Sequence, residues 1–76
     1  MTFTALEKFG EARREVAMRR RVYPHFVERG KLKQEDADRQ IAVMEAIAED
    51  YRPAAEEEKR AAEAAAEANK KQMNLF

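Results

Sequence analysis

From Ala54 to Lys71 the chain carries no apolar side chain larger than alanine. Eighteen residues of this kind have little to contribute to a hydrophobic core. Any core must therefore come from the residues before Pro53. The whole chain is only 76 residues, and chains this short bury only about 60 % of the surface that their unfolded form exposes. That argues for one folded unit and against a deep catalytic cleft. With no cysteine, neither a disulfide nor a thiolate metal site can staple it. Helix packing, alone or with a partner, has to hold it together.

The composition is rich in Ala, Glu, Lys, Arg and Met, which favour helix, and only Gly10, Gly30, Pro24 and Pro53 interrupt it. The fold class expected is all-α. Thr2 or Thr4 can cap a first helix, the Thr oxygen accepting from an otherwise free N–H of the first turn, and Thr4 followed by Glu7 also fits a capping box. Leu6, Phe9, Arg13, Val16 and Arg20 then follow at helical spacing, a narrow stripe that Gly10 weakens at its beginning. Pro24 lacks an N–H and biases Tyr23 away from helical angles, which predicts a stop or bend near Arg21 to Tyr23. A short turn helix from Pro24 to Arg29, closed by Gly30 in the left-handed conformation, is expected next.

The strongest periodicity lies in the second helix, which starts near Lys33 or Gln34. Ala37, Ile41, Met44, Ile47 or Ala48, and Tyr51 form one face. Packed against the first helix, it makes an antiparallel hairpin over residues 1–52, with Val22, Tyr23, Phe26, Val27 and Leu32 at the turn end. Pro53 predicts another break. Residues 53–71 are then an Ala/Glu/Lys-rich helical stalk or spacer, supported by pairs such as Glu56 with Arg60 and Glu67 with Lys71.

The zero net charge conceals a division along the chain. Residues 1–33 hold nine basic and four acidic side chains, and residues 34–76 hold six basic and eleven acidic, giving balances of +5 and −5. The basic segment, with Arg13, Arg14, Arg19, Arg20 and Arg21 at its centre, is a candidate for contact with a nucleic-acid backbone. Its charges wrap round a helix and do not make one stripe, so a solvated face neutralised by nearby Glu is the competing reading. No pattern of nucleophile, base and orienting group exists: serine and cysteine are absent and His25 is alone. The chain is expected not to be an enzyme, and no catalytic residue, metal ligand or cofactor site is assigned.

The chain ends Gln72-Met73-Asn74-Leu75-Phe76. An apolar cluster at the far end of a polar spacer has two outlets, a folded-back site or an external pocket. The pentapeptide resembles Gln-Leu-Ser/Asp-Leu-Phe, with which bacterial polymerases, mismatch-repair proteins and clamp-loading factors dock on the ring-shaped sliding clamp. The resemblance implies an extended peptide with Gln72 as polar anchor, Leu75 and Phe76 as pocket-filling pair, and Met73 as secondary apolar contact. Met73 for Leu and Asn74 for Ser or Asp are mild departures.

The first fifty residues also have the look of small proteins from phages and prophages, a similarity that brings no activity with it. The partner implied is the bacterial DNA polymerase III beta sliding clamp, bound as a competitor of replication or repair proteins or used as a landing site. Direct DNA binding, and a structural dimer along Ile41, Met44, Ile47 and Tyr51, are the alternatives. No run of apolar residues approaches the roughly 18 needed to span a bilayer. A soluble protein of the bacterial cytoplasm, near the nucleoid and not on a membrane, is expected.

Overall fold

A computed structural model describes residues 1–73, with side chains through residue 70. It contains two helices among the described residues, α1 over Ala5–Glu28 and α2 over Gln34–Met73, packed as an antiparallel hairpin. The molecule measures 65 × 22 × 20 Å, and most of its length is α2.

Local chemistry sets the ends of α1. Thr4 takes extended backbone angles and its Oγ1 accepts from the Glu7 N–H at 3.1 Å. A second cap comes from the other helix, where the Glu58 carboxylate accepts from the Leu6 N–H at 3.0 Å. An anion there also meets the positive end of the helix dipole. At the other end Lys31 N–H donates to the Phe26 carbonyl at 2.8 Å, and Gly30 N–H to that of Val27 at 3.0 Å. This Schellman arrangement requires the left-handed φ of +71° found at Gly30.

The expected interruptions at the prolines do not occur. Pro24 lies inside α1, so the separate short turn helix is absent and Gly30 closes α1 itself. Pro53 lies inside α2, with no break between hairpin and stalk. Each proline is exposed, and each removes one helical hydrogen bond. On both sides of Pro53 the residues Ala48, Tyr51 and Ala55 are held in the interface with α1, and this packing outweighs the lost bond.

The seam follows an alternating four-and-three spacing on both helices. On α1 it runs through Ala5, Phe9, Ala12, Val16, Arg19 and Tyr23, and on α2 through Ala37, Ile41, Met44, Ala48, Tyr51, Ala55 and Glu58, all buried or half-buried. The fully buried members are Ala12, Val16, Ala37, Ala48 and Ala55, so no large side chain is enclosed. Alanines seven apart, Ala5 with Ala12 and Ala48 with Ala55, let the helices approach closely. This corrects the stripe expected on α1: Leu6, Arg13 and Arg20 are exposed, and the neighbouring Ala5, Ala12 and Arg19 take the seam. On α2 the choice between Ile47 and Ala48 falls to Ala48, at 2 % exposure against 41 %. Pairing also reaches beyond residue 52, through Ala55 to Glu58.

Arginine and lysine stems cover what the small core leaves open. Arg52 lies over the Phe9 ring at 5.0 Å and Arg13 at 5.8 Å; Lys8 lies over Tyr51 at 5.6 Å and Arg19 over Tyr23 at 5.9 Å. Such cation–π contacts are worth about 0.5–1 kcal/mol each at exposed sites. At the turn, Tyr23 and Phe26 pack with centroids 6.2 Å apart, beside half-buried Leu32.

Two substitutions test this packing. Gly10 is exposed within α1, and a Cβ there would meet nothing within 4 Å. Gly10→Ala should stabilise the protein by about 1 kcal/mol in thermal or urea unfolding. Ala48→Leu, which forces a larger group into the seam, should destabilise it by about 1–3 kcal/mol. A neutral Ala48→Leu would show that the helices are not packed this closely.

Candidate functional site

The five arginines proposed for nucleic-acid contact are distributed around α1. Arg19 is the least exposed of those in ion pairs, its side chain 23 % accessible. Its Nε donates to Glu15 Oε1 at 2.9 Å and its Nη1 to the Gln40 carbonyl at 2.8 Å. Arg19 is therefore a cross-helix brace, and Gln40 also accepts from the Tyr23 hydroxyl at 3.3 Å. Arg14 pairs with Glu11 at 3.1 Å, and Arg20 pairs with Glu45 across the hairpin. Arg13 stacks on Phe9 and lies near enough to Glu49 to stabilise its charge. Arg21 is exposed on the outer side of α1. The structure does not gather the five into one surface, and three of them form ion pairs with carboxylates within the chain.

A second polar cluster, which periodicity alone did not single out, sits where α2 passes the start of α1. Arg52 donates to both oxygens of Glu49, each at 2.8 Å in its shortest contact, and approaches Glu56 at 3.7 Å. Hydrogen bonding from Arg52, with its charge and that of Arg13, holds the Glu49 carboxyl below its ordinary value of 4.5 despite partial desolvation. Further along, Arg60 pairs with Glu57 at 2.8 Å, in place of the expected Glu56. Such exposed pairs hold side chains in register but contribute little stability.

The residues expected to contact the clamp divide at the edge of what is described. The α2 backbone is helical through Gln72 and Met73, where the resemblance implies the start of an extended peptide. The cause of the helix here is the run of strong helix formers from Ala61 to Lys71. Asn74, Leu75 and Phe76 lie outside the described residues. Leading to them, every residue from Lys59 to Lys70 is exposed, and α1 has ended opposite Glu58. Residues 59–73 therefore form a single-helix overhang of about 22 Å at 1.5 Å per residue.

Among the described residues no group of three His, Asp or Glu converges as a metal site, and no helix is long and apolar enough to cross a membrane. No protein-family model, curated protein or solved structure was found to match this chain.

The Glu49–Arg52 pair gives a pH prediction. Because folding lowers the Glu49 pKa, its contribution is fully present above the ordinary carboxylate value and is lost as pH falls through the lowered one. Carbon NMR should give a Glu49 midpoint below 4.5, returning toward that value in Arg52→Ala. An unmoved midpoint in the variant would remove Arg52 as the cause.

Proposed function

We propose that this chain is a non-enzymatic interaction protein that presents Gln72-Met73-Asn74-Leu75-Phe76 to a bacterial DNA polymerase sliding clamp, in a phage or bacterial setting. The observation that carries the reading is the unpartnered continuation of α2. The helix leaves its hairpin at Glu58 and runs on through Met73, and its side chains from Lys59 to Lys70 are all exposed. In this reading its role is to present Met73, Leu75 and Phe76 to a partner.

The same length weakens the alternative that the apolar residues fold back on their own hairpin. Three residues beyond Met73 span at most about 10 Å, against an overhang of about 22 Å. They cannot rejoin α1 unless the stalk unwinds. Docking as an extended peptide requires only the last turn to open. Terminal turns lie at the low end of local stability. Leu75 and Phe76 then fill an apolar pocket, Gln72 anchors by polar contacts and Met73 adds apolar area.

Direct DNA binding has less support, since Arg14, Arg19 and Arg20 are engaged with carboxylates, and displacing those costs part of what phosphate contact would gain. If it operates, affinity for duplex DNA will fall steeply with added salt.

Calorimetric titration of a bacterial sliding clamp with the full chain should show saturable binding, weakened at least about hundredfold when Leu75 and Phe76 are both changed to Ala. Circular dichroism should be unchanged by those substitutions. Equal binding by the two proteins would end the proposal.

A further inference from the structure

Apart from Met1, Phe3 and Leu6 near the start of the chain, the seam, the turn and the overhang leave four apolar side chains larger than alanine without a role: Met18 and Val22 on α1, Val43 and Ile47 on α2. Val43 is 48 % and Ile47 41 % exposed, while Met18 and Val22 are half-buried. Helical geometry puts all four along one long edge of the hairpin. Val22 and Ile47 directly flank the seam on the side where Arg19 reaches the Gln40 carbonyl, and Met18 and Val43 lie one step further out. The opposite edge is charged, with Arg20 meeting Glu45 and Arg52 meeting Glu49. The register fixed by Phe9 with Arg52 and Tyr23 with Gln40 sets Met18 level with Val43.

We infer that this edge is a self-association surface, on which a second copy of the chain completes a four-helix arrangement. Three observations favour a second copy over a foreign partner. A helix whose apolar positions include a seam flank as well as the seam itself has the wider stripe of a bundle member. A single hairpin buries only four alanines and one valine, so it has much apolar surface still to gain. The charge is self-complementary: α1 carries six basic and four acidic residues, and the paired part of α2, residues 34–58, carries two basic and nine acidic. A twofold arrangement that sets α1 against the partner's α2 opposes these signs at both repeats of the contact. A uniformly basic or acidic foreign surface would match one helix and repel the other.

In that arrangement Met18 meets Val43 of the partner subunit, and the reciprocal contact forms with it. The seam residues Ile41, Met44 and Tyr51 stay within their own hairpin. The overhangs leave the paired bodies free, so the inference does not depend on what residues 72–76 bind.

Sedimentation equilibrium on the full chain tests it. At high micromolar concentration the wild type should have twice the 8.8 kDa chain mass. Met18→Lys and Val43→Glu should each raise the apparent dissociation constant at least about tenfold while keeping their helicity. An equimolar mixture of the two variants should recover the dimer, because Lys on one copy then faces Glu on the other. Ile47→Glu replaces Met18→Lys as the disrupting change should that variant lose helicity. A monomeric wild type, or dimers indifferent to Val43→Glu and Ile47→Glu, would overturn the inference.

Discussion

Two helices can lie this close only because alanine occupies the points of nearest approach. Ala12, Ala37, Ala48 and Ala55 are almost fully buried, and only Val16 among larger residues joins them. Close approach of the backbones substitutes for large enclosed side chains, and it brings the flanks of the two helices within reach. Arg19 can then bond to the Gln40 carbonyl, Arg52 can cover Phe9, and Glu58 can cap the first turn of α1. Each of these contacts fixes register as well as adding energy. Without the alanine seam the arginines would have no opposite helix to reach.

The Glu58 cap marks where a hairpin becomes a stalk. Up to that residue α2 has a partner, and beyond it the helix depends on alanine propensity and on local ion pairs such as Arg60 with Glu57. The division of labour drawn at Pro53 from the sequence moves to residue 58, because proline on an exposed face costs one bond while the packed residues around it stay in place. The shift shortens the reach of the stalk but gives it a firmer base: a continuous helix carries the orientation of the hairpin through Met73, which a hinge at Pro53 would not.

Much of this was legible in the residues. The Ala37, Ile41, Met44, Tyr51 face, the Thr4 cap and the left-handed Gly30 are local patterns with short-range causes, and they hold. The α1 face was less legible because a stripe of Leu6, Phe9, Arg13, Val16 and Arg20 and one of Ala5, Phe9, Ala12, Val16 and Arg19 share the same periodicity. Apolar size favours the first, and only the tertiary requirement for close approach selects the second. The breaks expected at Pro24 and Pro53 do not occur for the same reason, since packing across the hairpin is invisible to local rules. The basic segment separated into individual roles once its partners Glu11, Glu15 and Glu45 were in place. Their pairing with Arg14, Arg19 and Arg20 depends on rotamers and on the opposite helix.

The account assigns folding to residues up to 58, projection to the helix beyond, and recognition to residues 72–76. Amide NMR of the isotopically labelled full chain, recorded as unlabelled bacterial sliding clamp is added, reports on all three at once. The account requires shifts and broadening concentrated at residues 70–76, with the amides of Ala12, Val16 and Ala48 holding their positions. Perturbation centred on Arg13 to Arg21, with residues 70–76 unchanged, would contradict it.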